Sequence, residues 1–211
     1  MTYGEIKIEA LKLMYVRENT DFVVSQLDIL REDEDINVYL CNMPGSINRC
    51  LSYIESRGVL PRKTHTLVLS EAKEGELVRR DLKKEIPDYY DIDRLICECN
   101  GRYIGDCDYR MEGDVLVLAY DEDMTYTVEY KPKCRRVSVT NEETRDDCEI
   151  DVPDDIAALI PFYIKSELYR DDEPAEAGEA RNWFEQSIAQ LGRARVSTSK
   201  TVTSLYAIND L

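Results

Sequence analysis

Apolar residues recur at helical spacing from the start of the chain, at Ile6, Ala10, Leu13 and Met14. Thr2 and Glu5 have the spacing of a capping box, in which each side chain satisfies the other's backbone amide, and this predicts a first helix over roughly residues 3–15. After the charged run REDED, the segment INVYLCNMPGSINRCLSYIESRGVLP places Pro44 where a first helical turn tolerates it and Gly58 where a helix ends. Ile47, Leu51 and Ile54 lie between them. A second helical region follows, interrupted at MPG.

From Thr64 to about Val139 the period changes to two. THTLVLS, RLICEC, DVLVLAY, MTYTVEY and RRVSVT read as short strands, separated by turn-prone NG, EG and DED sequences. Asn100-Gly101 and Glu112-Gly113 are the strongest hairpin candidates, because glycine tolerates the positive φ of such turns. Strands this short predict a compact sandwich or an open barrel. Residues 142–155 are too acidic to be core and read as an exposed connection.

Helical spacing returns in IAALIPFYIKSELY, for which Asp154 is a candidate N-cap. Ile156, Leu159, Ile160, Tyr163, Ile164 and Leu168 cover more than one narrow stripe, which implies burial from two sides. Pro161 should kink this helix or mark a restart. After the break at RDDEP, a second helix places Ala177, Ala180, Phe184, Ile188 and Leu191 on one face, with Gly192 as its stop. The short link requires the two helices to run antiparallel. Trp183 lies beside the main stripe, where it either caps the core, as helical aromatics usually do, or faces a partner.

The chain has 211 residues, with 43 Asp and Glu against 27 Lys and Arg and a net charge of −16. That length suits one domain or a small domain with attachments, and that charge opposes non-specific capture of nucleic acid or anionic membrane. No run approaches the ~18 apolar residues of a membrane span, and MTYGEIKIEALK lacks the order of a signal peptide. Seven cysteines (Cys41, Cys50, Cys97, Cys99, Cys107, Cys134 and Cys148) form an odd set without a C-x-x-C pair, so reduced thiols are expected, with neither a disulfide framework nor a zinc ribbon. Cys97 and Cys99 in ICEC read as two small apolar side chains on one strand face. His65, the single histidine, reads as a structural strand residue. Phosphate-binding, zinc-protease and nucleophile-elbow motifs are absent, and the acidic turns lack the spaced ligands of a calcium loop. No catalytic, cofactor-binding or metal-binding residue is assigned.

LIPFYIKSELYRDDEPAEAGEARNWFEQSIAQL resembles the C-terminal helical pair of structural proteins in the head-to-tail region of tailed bacteriophages. The similarity rests on Leu159-Ile160-Pro161, Tyr163-Ile164, Ser166-Glu167-Leu168-Tyr169, Asp172-Glu173, Ala180-Arg181-Asn182 and Phe184-Glu185. MPGSINRCLSYIE, residues 43–55, is similar to the corresponding N-terminal helix, and together the two segments span under a quarter of the chain. The resemblance implies a head-to-tail adaptor or connector of the virion neck, without catalysis or cofactor. Such a subunit forms a homo-oligomeric ring, a dodecamer, that contacts the portal protein and a neighbouring neck or tail protein while packaged DNA passes through its channel. A stopper, a tail terminator or a minor capsid protein of the same particle are alternatives. A cytosolic acidic inhibitor that mimics DNA is an alternative of another class, and a thiol enzyme a third.

The expected fold is therefore α+β. Residues 1–60 and 151–192 form a helical adaptor-like core around a β-rich middle at 61–150. Residues 193–211 form an extended arm, positive in side-chain charge through Arg193, Arg195 and Lys200 against Asp210, whose partial alternation suits strand addition to another subunit. Trp183, Arg193, Arg195, Lys200, Leu205 and Tyr206 are the candidate subunit or portal contacts.

Overall fold

The computed structural model describes residues 1–15, 21–69, 73–138 and 146–199, with side chains in the last helix described as far as residue 194. The chain divides into two compact units, Met1–Val59 with Cys134–Leu211, and Leu60–Lys133. The first is helical and the second is built on antiparallel sheets, so the class is α+β. The unit boundary at Lys133 falls well before residue 150, because Cys134 and the residues after it belong to the helical unit.

In the helical unit, α1 (Tyr3–Met14) carries the full Thr2/Glu5 capping box. Residues 146–150 run along its first turn, with the Tyr3 amide donating to the Cys148 carbonyl and the Gly4 amide to the Asp146 carbonyl, both at 2.8 Å. This approach requires Gly4, since a Cβ there would lie 2.9 Å from the Asp146 carbonyl oxygen. The acidic segment is therefore partly docked, and Ile150 within it is buried. A 3-10 turn (Val24–Gln26) and the short α2 (Leu27–Leu30) lead to α3 (Glu34–Arg57).

α3 is one continuous helix that begins inside REDED, capped by the Asp33 carboxylate on the Asp35 and Ile36 amides. The expected interruption at MPG does not occur. Pro44 sits in the middle of the helix, where it removes one backbone donor but buries its ring, and the buried run Leu40, Met43, Ile47, Leu51 and Ile54 holds the helix together across it. Gly58 closes α3 in the left-handed conformation (φ 63°).

α5 (Asp154–Ala157) and α6 (Ile160–Leu168) are separate helices, and Pro161 opens α6 as a restart. Pro153, not Asp154, occupies the cap position of α5. The Asp154 carboxylate instead accepts from the N-terminal ammonium at 3.0 Å. α6 packs against α1, α3 and α7 (Pro174–Ser199). Four of the five residues expected on the α7 stripe, Ala177, Ala180, Phe184 and Ile188, are buried, and the fifth, Leu191, is half-buried. Gly192 does not stop the helix, which passes it and continues to Ser199, so residues 193–199 are helical and not an extended arm. Gly192 instead lies against Val59, which a Cβ would approach to 3.3 Å.

The second unit holds a four-stranded sheet of order β1-β7-β3-β4 and a three-stranded sheet of order β2-β6-β5. The strands are β1 (Lys63–Thr66), β2 (Leu77–Asp81), β3 (Tyr89–Cys99), β4 (Arg102–Asp106), β5 (Arg110–Glu112), β6 (Val115–Ala119) and β7 (Met124–Pro132), with a single turn of helix, α4 (Leu82–Glu85), after β2. Both sheets contribute to one core, with Leu95, Cys97, Tyr126 and Val128 from the larger and Leu116 and Leu118 from the smaller. Asn100 and Gly101 both adopt positive φ (51° and 73°) in the β3–β4 turn. Residues 135–138 of RRVSVT form no strand and belong to the helical unit, while 139–140 lie outside the described residues. The expectation of reduced thiols also fails at one pair. Cys97 and Cys107 form a disulfide with Cα atoms 5.8 Å apart, brought together by the shift in register between β3 and β4 at Cys97/Glu98.

Two outcomes test this packing. Phe184 is fully buried, 5.1 Å from the Tyr163 ring and 5.6 Å from that of Tyr53. Phe184→Ala should cost about 3–5 kcal/mol, and an unchanged thermal midpoint would remove it from the core. In the β unit, Asp88 accepts from Lys63 at 2.7 Å and from the Tyr130 hydroxyl at 2.8 Å, joining β1 and β7 to the entrance of β3. Burial alone would raise this carboxyl, but the two hydrogen bonds hold it below its ordinary value. Its stabilising contribution is present above the unfolded carboxyl pKa of ~4 and is lost as pH falls through the lower folded value. Asp88→Asn should shrink the acid loss of the unit's stability in melts between about pH 5 and 2; an unaltered acid limb would exclude the role.

Candidate interaction surface

The residues that carry the sequence resemblance are fastened inside the helical unit. The Tyr169 hydroxyl donates to the Met14 carbonyl at 2.7 Å, and the Lys165 ammonium, which lies between motif positions, donates to the Leu13 carbonyl at 2.7 Å and to Glu176 of α7 at 2.8 Å, so α6 and its cap residue hold the last turn of α1 and α7 braces the lysine. Glu167 accepts from Arg49 of α3 at 2.6 Å, and Asp172 accepts from the Tyr39 hydroxyl of α3 at 2.5 Å. The Arg181 guanidinium lies 4.7 Å and 5.2 Å from the Tyr163 and Tyr53 ring centroids and donates to Glu185 at 2.7 Å. Burial disfavours its charge, but the bonds to Glu185 and Tyr163 more than compensate and its pKa rises. Glu167, Tyr169, Asp172, Arg181 and Glu185 of the motif are thus braces, while Asn182 is exposed.

Two further clasps involve charges that are almost fully buried. Lys7, 3% exposed, donates to Asp146 at 2.8 Å and lies 4.0 Å from the Tyr3 ring centroid, while Arg31 reaches the other oxygen of Asp146 at 3.0 Å. Glu55, 5% exposed, accepts from the Cys134 amide at 2.6 Å and from Arg136 at 2.9 and 2.6 Å. Neither clasp was visible in the sequence, since the partners lie 139 and 81 residues apart. An uncompensated buried charge would be severely costly, so each pair is a condition of folding as it stands.

The hairpin's solvent face is mostly polar, with Asp171, Asp172, Glu179, Asn182 and Gln186 exposed, and Trp183 stands out on it as a large aromatic. Trp183 is 48% exposed and is therefore not a core residue. Its ring stacks on Phe162 of α6 at 4.1 Å and 31°. Phe162 was missed by the sequence reading, yet its signal resembles that of Trp183: both flank the buried stripes of their helices, at Ile160/Tyr163/Ile164 and Ala180/Phe184. Arg193 is exposed on α7 with no ion-pair partner among the described residues. Arg195 is helical, with its side chain outside the described set, and Lys200, Leu205 and Tyr206 lie outside the described residues altogether. The structure thus brings Trp183 and Phe162 together and puts Arg193 further along the same helix.

Among the described residues, no group of three or more His, Cys, Asp or Glu side chains could hold a metal ion, and no helix is long and apolar enough to cross a membrane. His65 lies half-buried in β1. Removing the Glu55 carboxylate should leave the Cys134 amide and Arg136 without their acceptor. Glu55→Ala is expected to cost about 2–3 kcal/mol and to accelerate amide hydrogen exchange at Cys134; slow exchange there in the variant would show that the segment is held by other contacts. No protein-family model and no curated protein matches the chain.

Proposed function

We propose that the protein is a structural subunit of a tailed-bacteriophage virion, a head-to-tail adaptor or connector that acts by assembly beneath the portal. The observation that carries this reading is the Trp183–Phe162 stack, with Trp183 exposed and Phe162 half-buried, on a hairpin whose motif residues Glu167, Tyr169, Asp172 and Arg181 are committed to braces within the helical unit. A side-by-side aromatic pair on a rigid two-helix frame has the properties of an interface anchor, with large contact area and little conformational freedom left to lose on binding. The β unit enters between α3 and residue 134 as one contiguous insertion, which suits a helical core carrying an added β element. A net charge of −16 suits a ring whose channel must let DNA slide without holding phosphate.

The breadth of apolar surface on α6 gives this reading no support, because α1, α3 and α7 cover it within the chain. Ring formation rests on the hairpin's outer surface instead. The dodecameric ring, the portal and the neighbouring neck or tail protein as partners, and the virion as location are parts of the same proposal.

The deciding experiment combines the purified chain with the portal protein encoded by the same genome, followed by imaging of the complex and of the virion. A ring below the portal is the expected outcome. A chain that stays monomeric with portal present and is missing from virions would refute the proposal, and a position elsewhere in the particle would convert it to a stopper, terminator or capsid role. Trp183→Ala should shift the thermal midpoint little, with about 1 kcal/mol lost from the stack, while weakening portal or ring association by roughly tenfold or more. Unaltered association would exclude the aromatic pair as the contact.

A further inference from the structure

Cys97 lies on β3, the strand that pairs with both β7 and β4, and is 1% exposed in the core shared by the two sheets. Cys107 follows β4 and is half-buried, and its amide donates to the Leu95 carbonyl at 3.0 Å. Residues 107–109 carry the chain from the four-stranded sheet to β5 of the three-stranded sheet. A bond from Cys107 to Cys97 therefore ties the crossing between the sheets to a central strand. Without it, the crossing keeps the single backbone bond to Leu95 and the packing of Cys107 and Tyr109 against the core.

We propose that Cys97 and Cys107 are a redox-responsive clasp, open while the chain is in a reducing compartment and closed by a small disulfide oxidant once it leaves. Assigning closure to the released particle rests on the virion reading above; the chemistry of the pair does not. Cytosolic thiols are held reduced, so a chain made there folds first and oxidises later. The exposures set the order of events. Cys107, the accessible partner, attacks the oxidant as its thiolate, forming a mixed disulfide and releasing one small thiolate. Cys97 then loses its proton and attacks the Cys107 sulfur, expelling the second small thiol. Two protein thiols become one disulfide while one small disulfide becomes two thiols, so protons and electrons balance.

The register makes the pairing selective. Cys97 is aligned with Gly105, two residues from Cys107, and their Cα atoms are 5.8 Å apart, within the span of a disulfide. Cys99 is aligned with Arg102, five positions from Cys107, and at ~3.4 Å per residue along a strand it lies out of reach.

The test uses the full chain equilibrated with oxidised glutathione, then alkylated in denaturant and weighed. Five of its seven cysteines should be alkylated, with peptide mapping linking Cys97 to Cys107. Reductant should restore all seven and lower the midpoint of the β unit by on the order of 10 °C. This comparison needs no variant. Cys99→Ser should keep the response, and Cys107→Ser should abolish it with every remaining thiol alkylated. Seven alkylated thiols after oxidation, a linkage through Cys99, or equal midpoints with and without reductant would each overturn the clasp. Alkylation inside producing cells should trap both thiols reduced, and a bond complete there would overturn the sequence of events. Closure in glutathione by a protein missing from virions would instead count against the virion reading alone.

Discussion

α6 is nine residues long and is covered by α1, α3 and α7, and this demand for burial on several sides at once organises the helical unit. A helix that short has negligible stability of its own in water, so its neighbours must be in place for it to exist. Ile160, Tyr163 and Ile164 give it apolar contact over a wide arc, and Phe184 from α7 and Tyr53 from α3 close around Tyr163 in a three-ring cluster. Edge-to-face and tilted aromatic pairs add roughly 0.5–1.5 kcal/mol each beyond their burial. Arg181 lies against two of these rings while its charge is answered by Glu185, so the cluster ends in a cation that stays paired. The restart at Pro161 belongs to the same constraint: by ending α5 early, it lets α6 take its own direction between three partners.

The acidity of the chain limits how such a core can be fastened. With carboxylates in large excess, every cation has several possible partners and the carboxylates repel one another. The structure commits its scarce cations to joints between distant segments: Lys7 and Arg31 to Asp146, Arg136 to Glu55, Arg49 to Glu167 and Lys165 to Glu176. The exposed members of these pairs contribute little individually. Lys7 and Glu55 differ, because leaving either charge without its partner in the interior would cost more than the pair gains. Other cations, among them Arg57, Arg102, Arg135 and Arg193, stay on the surface, where they offset part of the excess of carboxylates.

Features that depend on near neighbours in sequence were legible beforehand. The α1 capping box, the left-handed end of α3 at Gly58, the Asn100-Gly101 turn and the buried stripe of α7 each follow from residues within a few positions of one another. Local signals misled where tertiary contact outweighs them. Pro44 reads as a helix start but is carried inside α3 by a buried face on either side of it, and Gly192 reads as a stop but provides close approach to Val59. RRVSVT alternates like a strand, but the Arg136–Glu55 pair draws it to the helical unit. β2, β4 and β5 went unseen because LVRRD, RYIGD and RME are short and polar, and they acquire their order from the strands beside them. The Cys97–Cys107 pair was hidden because cysteine count and spacing say nothing of register.

Trp183 and Phe184 put an exposed and a fully buried aromatic at adjacent positions of one helix, and on the proposed reading the first serves recognition and the second folding. Neighbours on an α-helix point about 100° apart, so a helix that buries Phe184 must turn Trp183 toward its flank. There Phe162, similarly displaced from the stripe of α6, meets it. The aromatic surface thus arises from the same helix register that builds the core, without any local distortion. Its position is fixed by Phe184, Tyr163 and Tyr53, while its outer face contributes little to stability because it remains in water. A contact built this way can be lost with the fold intact, whereas a change in the core must displace the contact as well. That asymmetry separates a binding defect from a folding defect at two consecutive positions of one helix.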